Sequence, residues 1–368
     1  MEVIQYHKKS GHRILNAIYS PNDMELGAPI LSGTEKRNGE IEFFRFLFAV
    51  VVLLEHMGIL PHGGVAVDFF FALTGYLTMA SLNKAKVSGV PCLSTFAFVF
   101  RKIKSFYPEL LISMILVIGV HFLTGEHDYR YYLRPAETII NNVLLLKMSG
   151  LCQSPSDLNG PTWFLSSMLL AIFVVYPLLR KFGANGFLFA IALSICGFLC
   201  TYHGSLTGVY DWIGFTYEGN IRAVGDILLG AFAFPVVQTI KSVEILLPGR
   251  LLACAVRYVM LGIMFYVAMD TGTDFQWLSL LAAWGMVVIA FSGIGIDAYA
   301  FNNKLCLFLG KLSLPLYLSH RGFTRCLSEP YTCIACSLAA ALLVMLLASF
   351  LRRISPFVCS CFVRRTAA

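Results

Sequence analysis

Glu42, Arg45 and His56 lie along one apolar segment of the chain, at spacings that place an acid, a guanidinium and an imidazole on one face of a helix. Eleven residues advance an α-helix by three turns plus roughly 20°, so Arg45 and His56 share a face about 16 Å apart along the axis. Glu42 lies one turn before Arg45, close enough to pair with it. Ionisable groups in a segment of hydrocarbon length are costly and face a bundle interior or an aqueous cavity, which marks chemistry or transport rather than a passive anchor. A neutral imidazole at His56 could take a proton from an alcohol, and its protonated form could return one to a leaving group. The plainer reading is a helix-end histidine bonded to backbone or headgroup. Arg45 is charged at any accessible pH and either pairs structurally with Glu42 or steers an anionic donor.

The second apolar segment opens at His62-Gly63-Gly64 and continues through Asp68 to Thr74-Gly75-Tyr76-Leu77. Its glycines allow a tight turn and close helix approach, and the Thr74 hydroxyl is available for an internal bond. Asp68, one turn in, could support a histidine or hydrogen-bond a substrate. The run Arg101-Lys102-Ile103-Lys104-Ser105-Phe106-Tyr107-Pro108 leads into the third segment with clustered cations that suit phosphates, or that simply mark the cytoplasmic side. Trp163 opens the fourth segment, where an interface anchor is the ordinary reading. Arg222 has Asp226 one turn further in, so their pairing is the first expectation. Near the end of the chain, Gly310 through His320 contains Pro315, able to bend or break a helix, and Tyr317, and brings His320 level with His56.

These groups need a membrane scaffold to position them. Hydrophobic residues make up 57% of the chain, charged residues 13%, and the mean hydropathy is +0.72, far from a soluble average. Apolar runs fall at about 41–60, 64–81, 105–124, 163–179, 185–200, 221–239, 251–269, 277–294, 305–320 and 332–350, several near the minimum spanning length. The pattern predicts an all-α polytopic membrane protein of about ten transmembrane helices with both termini cytoplasmic. That arrangement puts Lys84, Lys86, Arg101, Lys102, Lys104, Arg180, Lys181, Lys241, Lys304, Arg352, Arg353, Arg364 and Arg365 inside. The apolar piece at 138–148 is too short to cross unaided and reads as a re-entrant or interfacial part of an outer loop, 125–162.

Residues 1–40 are polar, carry no secretory-signal pattern and read as a cytoplasmic tail or surface-lying element. Residues 41–350 form the membrane domain and 351–368 a cytoplasmic C-terminal tail. The formal charge of +7 needs no nucleic acid, since basic residues on the inner face meeting anionic lipid account for it. Eleven cysteines do not make a disulfide framework, because Cys196, Cys200, Cys254, Cys306 and Cys336 sit in or beside apolar runs. One outer bridge among Cys152, Cys326 and Cys333 is conceivable. The inner Cys359-Ser360-Cys361 lacks the ligands a metal site would want.

The order and spacing of these segments, from about Ile41 to Phe350, resemble the membrane-bound acyltransferase-3 family, whose bacterial members acetylate cell-surface sugars. Glu42, Arg45 and His56 look like its acidic–Arg–His first helix, and Gly64 through Leu77 like its Phe-rich second helix. Arg101 through Pro108 looks like its basic segment ending in Tyr-Pro, and Gly310 through His320 is similar to its late Gly-Lys-x-Ser segment closing in Tyr-Leu-x-His. Thr74 stands where the family usually has Ser. Phe164-Leu165 and Met168 stand where the family often has Ser-Leu and a Glu after its fourth-helix Trp. The extracytoplasmic esterase-like domain of some relatives is not expected here.

The resemblance implies a bacterial inner-membrane O-acyltransferase that moves an acetyl or other short acyl group from cytoplasmic acyl-CoA to a hydroxyl of a surface polysaccharide or lipid-linked sugar. Arg101, Lys102 and Lys104 would hold CoA phosphates, Arg45 would orient the donor, and His56 would act as base or transient acyl carrier. Glu42 and Asp68 would complete the catalytic set, with Trp163, Arg222, Tyr317 and His320 as substrate or structural support, acetyl-CoA as donor and no metal. A transporter using the same polar route, or a non-catalytic component of envelope-polymer assembly, are the rival classes. No internal repeat supports the first. Nothing in the sequence sets the oligomeric state.

Overall fold

A computed structural model describes residues 37–124, 135–151, 158–202, 206, 208–270 and 275–366, with side chains left out of the description at 135–138 and 355–366. Asn38 starts the bundle. Its side-chain oxygen accepts from the backbone N–H groups of Glu40 and Ile41 at 3.0 and 3.1 Å, and its amide nitrogen donates to the Ala290 carbonyl at 2.7 Å. The cap and the acids Glu40 and Glu42 in the first turn suit the positive end of a helix dipole. Helix α1 (Gly39–His56) follows and ends where Gly58 adopts φ 74°, a left-handed backbone that closes the helix at little cost only for glycine.

A short 3-10 turn (Gly63–Val65) leads into α2 (Ala66–Val87), then α3 (Thr95–Thr124) and a nine-residue α4 (Pro135–Val143). Next come α5 (Thr162–Phe182) and α6 (Gly186–Tyr202), and a two-stranded antiparallel hairpin, β1 (Trp212–Ile213) with β2 (Thr216–Tyr217), pairing Trp212 with Tyr217. Helices α7 (Glu218–Lys241), α8 (Leu247–Met269) and α9 (Gln276–Ser292) follow, then a one-turn α10 (Ala298–Phe301). The chain closes with α11 (Lys304–Ser319), a short α12 (Arg321–Cys326) and α13 (Pro330–Thr366).

The protein is a polytopic membrane helical bundle. Among the described residues six helices are long and apolar enough to cross a membrane: α2 with its 3-10 turn, α3, α5, α7, α8 and α13. The shorter apolar α6 and α9 join them. The sequence also marks α1 and α11 as spans. Both fall below that threshold for a physical reason, since α1 carries Glu40, Glu42, Arg45 and Glu55, and α11 is only 16 residues long. Much of the polar chemistry therefore sits on the two helices that need neighbours around them.

Close packing holds these helices in register. A Cβ on Gly75 would lie 2.0 Å from the Ile227 carbonyl oxygen, and one on Gly230 would lie 2.1 Å from that of Ala72, so α2 and α7 touch backbone to backbone. Small residues allow this approach, and dispersion and tight packing then supply the association that lipid does not. An aromatic spine, Phe44, Phe48 and Phe69, fills the junction of α1 and α2, with ring centroids 4.7 Å apart between Phe48 and Phe69. Such clusters add packing energy beyond the apolar area they bury.

The structure adds detail to the reading of three segments. Helix α3 begins ten residues before the apolar run at 105, so Arg101, Lys102 and Lys104 stand on a helix rather than on a connecting loop. Phe98, Arg101 and Lys102 lie within one turn of each other, and the Phe98 ring covers both cations. Pro315 neither breaks nor ends α11, which runs through it to Ser319. The 138–148 piece is half helix (α4) and half turn, with Asn142, Lys147 and Met148 buried. Cys326 and Cys333 are free thiols, and Cys152 lies outside the described residues, as do the first 36 residues of the expected N-terminal tail.

Candidate functional site

The polar groups gather at the two ends of α1. At its start, Glu42 accepts from Arg37 through Nε at 3.1 Å and Nη2 at 2.9 Å, and from Arg45 Nη1 at 3.0 Å. Its carboxylate occupies the space that a Cβ on Gly310 would need, only 1.9 Å away, so α11 can approach α1 here because position 310 has no side chain. Arg101 and Lys102 lie over the Phe98 ring at 5.3 and 5.9 Å, and Lys104 lies over Phe100 at 5.6 Å. Lys102 is within electrostatic reach of both Arg101 and Arg45. Among the described residues no carboxylate pairs with Arg101 or Lys102, which leaves this end rich in uncompensated positive charge. Such a cluster suits an anion such as a phosphate.

A separate node nearby sets one buried cation between two acids. Arg257, fully buried, donates to Glu40 at 2.8 Å and to Asp297, which also accepts from the Tyr258 hydroxyl at 2.8 Å. Hydrogen bonds from Arg257, then from Tyr258, hold the Asp297 carboxyl down to about 2. This node clamps α1, α8 and the turn before α10. An arginine inside the apolar run 251–269 was its only sequence signal.

At the other end of α1, His56 and His320 meet edge to face with ring centroids 5.0 Å apart. The two rings are anchored alike: His56 Nδ1 lies 2.9 Å from the Val52 carbonyl, and His320 Nδ1 lies 3.0 Å from that of Leu316. A carbonyl can only accept, so each neutral ring carries its proton on Nδ1 and keeps a lone pair on Nε2. His320 is fully buried and its Nε2 has no partner among the described residues, whereas His56 is half-buried. Tyr317, Phe70 and Phe164 wall the pair: Tyr317 lies 6.2 Å from the His320 ring and 6.1 Å from Phe70. The arrangement offers basic nitrogens in an apolar enclosure, which suits general-base or nucleophilic work on a neutral substrate.

Arg222 lies beside this pocket, 1% exposed, with its Nε and Nη2 on one carboxylate oxygen of Asp68. Its Nη2 also donates to the Gly64 carbonyl at 3.0 Å. The expected partner Asp226 is the more distant, at 3.8 Å. The α2–α7 contact at Gly75 and Gly230 is close enough to bring a residue of the neighbouring helix nearer than one a turn away. Asp68 therefore serves Arg222 and Ser279 (3.2 Å) rather than a histidine among the described residues. Trp163 packs against the same arginine. It is buried at the head of α5 with Arg222 over its ring at 5.9 Å. Thr74 bonds internally, donating to the Phe70 carbonyl at 2.8 Å and facing the Met168 sulfur at 3.7 Å.

Two features escaped the sequence reading. Glu55 accepts from the backbone N–H of Gly64 and feels the charges of Arg222, His62 and Arg321. Its place immediately before His56 was the only hint. The α4 segment is also stitched to the bundle. Thr162 donates to Asn142 at 2.7 Å, Asn220 to the Met148 carbonyl at 2.8 Å, and Asn159 to the Leu318 carbonyl at 2.8 Å. The Lys147 ammonium lies 3.3 Å from the Gly160 carbonyl. Those bonds tie Asn142, Met148 and Asn159 to α5, α7 and α11. Among the described residues no group of three or more His, Cys, Asp or Glu converges as a metal site would.

A family model described as an acyltransferase domain, of the acyltransferase-3 group, matches residues 36–357. No curated protein and no solved structure matches the chain. The match covers the whole bundle and most of the chain, and the protein belongs to this acyltransferase family.

Proposed function

We propose that this family member transfers an acetyl or other short acyl group from cytoplasmic acyl-CoA to a hydroxyl of a surface polysaccharide or lipid-linked sugar, in a bacterial inner membrane. The observation that carries the reading is the pairing of His56 with His320 at one end of α1, with the uncompensated cations Arg101 and Lys102 near the other. In this reading all ten long helices cross the membrane, both termini are cytoplasmic and the cation end faces inward. The clustering of Lys84, Lys86, Arg180, Lys181, Lys241 and Lys304 at ends that share that side supports the orientation.

Arg101, Lys102 and Lys104 hold the CoA phosphates, and Arg45, steadied by Glu42, orients the donor as its flexible arm carries the thioester into the bundle. His56 Nε2 then takes the proton from the acceptor hydroxyl as that oxygen attacks the thioester carbonyl. The carbon–sulfur bond breaks, and the CoA thiolate leaves and recovers the proton from the imidazolium. In the two-step form of the same reaction, His56 Nε2 attacks first and carries the acyl group until the hydroxyl displaces it. Tyr317, Trp163 and His320 shape the apolar wall that keeps bulk water from competing for the acyl group. Anionic lipids meet the basic inner rim.

The test is CoA release by purified protein in lipid nanodiscs, given acetyl-CoA and a panel of envelope glycans, with His56→Ala alongside. The proposal expects acceptor-dependent release that the variant loses while still binding acetyl-CoA. Absence of both release and acetyl-CoA binding in the wild type would move the assignment to transport or a non-catalytic role.

A further inference from the structure

The last turn of α1 carries His56, and something must fix it for the imidazole to meet a substrate at a defined angle. The turn Gly63–Val65 lies directly against it. A Cβ on Gly63 would lie 2.6 Å from the Glu55 Cβ and 2.7 Å from the Val51 carbonyl oxygen, and one on Gly64 would lie 3.1 Å from a Glu55 carboxylate oxygen. Gly64 uses both its backbone groups here, its N–H donating to Glu55 and its carbonyl accepting from Arg222 Nη2 at 3.0 Å. Arg222 is in turn gripped by Asp68 through two nitrogens, and Asp68 accepts from Ser279 on α9.

The guanidinium is planar, so its remaining nitrogen, Nη1, points in the same general direction as the Nη2 hydrogen that reaches Gly64. That nitrogen is buried and has no partner among the described residues. A buried guanidinium is costly unless its nitrogens are paired, and the Asp68 carboxylate and the Gly64 carbonyl are what pair Nε and Nη2 here. We propose that Arg222 is a positioning residue for His56, acting through Gly64 and Glu55: it pins the glycine turn that fixes the last turn of α1 and so sets the direction of the catalytic imidazole. The inference rests on the acyl-transfer reading only for what His56 does once positioned.

Gly64→Ala and Arg222→Lys, singly and together, test it in nanodiscs. The lysine can keep an ion pair with Asp68 but cannot also reach Gly64 as the fork does. Two readouts are taken. The first is the rate at which diethyl pyrocarbonate modifies His56, followed by mass spectrometry. The second is CoA release from acetyl-CoA with the glycan panel. Each single variant is expected to speed modification of His56 several-fold, because a loosened turn exposes the ring. Each should also lower kcat on the order of tenfold, with KM for acetyl-CoA unchanged, because a misdirected base loses rate rather than donor binding.

The double variant should be no worse than the worse single, since both act on one chain of contacts. Gly262→Ala, where a Cβ meets open space, is the control expected to change neither readout. Unchanged His56 modification in Gly64→Ala, or losses that multiply in the double variant, would overturn the proposal. If Arg222→Lys does not fold, Gly64→Ala and the charge-neutral Glu55→Gln decide by the same two readouts. A wild type that releases no CoA would sink the transferase reading, while the modification rates would still judge the positioning claim.

Discussion

The two ends of α1 solve opposite problems. At its start the bundle gathers cations and leaves some without acids: Glu42 serves both Arg37 and Arg45, while Arg101 and Lys102 have aromatic faces for company. Near its last turn Arg222 is held by Asp68 and Glu55 by the Gly64 amide, beside two imidazoles anchored through Nδ1. Ionisable groups inside a membrane bundle are costly and face its interior or an aqueous cavity, where a ligand can complete a surplus of charge. The contrast separates a place for an anionic donor from a place for a neutral acceptor, joined by one helix about 16 Å long between Arg45 and His56.

Removing the base should give the largest effect. His56→Ala is expected to lower acceptor-dependent CoA release by roughly 10²–10⁴-fold, the usual range for a general acid–base group, with acetyl-CoA binding intact. Loss of binding in that variant would erase the separation between the ends. The reciprocal change, Arg101→Ala with Lys102→Ala, should raise KM for acetyl-CoA on the order of tenfold and leave kcat within about twofold, since charge-assisted contacts to phosphates bind donor and transition state alike. An unchanged KM would move the donor site elsewhere. The same binding should weaken as salt screens the cluster, whereas His56 modification should not.

A smaller effect, on stability rather than activity, is expected from Gly230→Ala. Its Cβ would meet the Ala72 backbone, and overpacking of this kind costs about 1–3 kcal/mol. Thermal unfolding in detergent would measure it, and an unshifted midpoint would mean that α2 and α7 separate more easily than their contact implies. The smallest belongs to the Arg257 node. Asp297 has its carboxyl held below the usual range, so its contribution to stability is present above pH of about 4 and is lost as pH falls toward about 2. Asp297→Asn should remove that acid-range slope, and a slope that persisted would assign it to another carboxylate.

The helices were legible because hydrophobic runs of spanning length have few other uses, and nine of the ten predicted runs begin within a few residues of the observed helices. The exception, α3, starts early because its first turns carry Arg101, Lys102 and Lys104, whose charges dilute the apolar signal without unsettling a helix. The nearness of His320 to His56 also followed, from the expected order and direction of the spans.

Partners across helices were not legible. Arg222 takes Asp68, 154 positions away, over the nearby Asp226, and that choice depends on two glycines letting α2 and α7 touch. Arg37 escaped notice because it lies before the apolar run, though it shares Glu42 with Arg45. Glu55 escaped because its partner is a backbone amide, which side-chain spacing cannot reveal.

The most direct test of a divided site uses sealed inverted membrane vesicles containing the protein, with radiolabelled acetyl-CoA supplied only to the outside, the former cytoplasmic face. The account predicts that label reaches glycan enclosed in the vesicle lumen, that transfer depends on Arg101 and Lys102 through KM, and that His56→Ala abolishes it. Label confined to the outer face, or transfer that survives His56→Ala in folded protein, would contradict it.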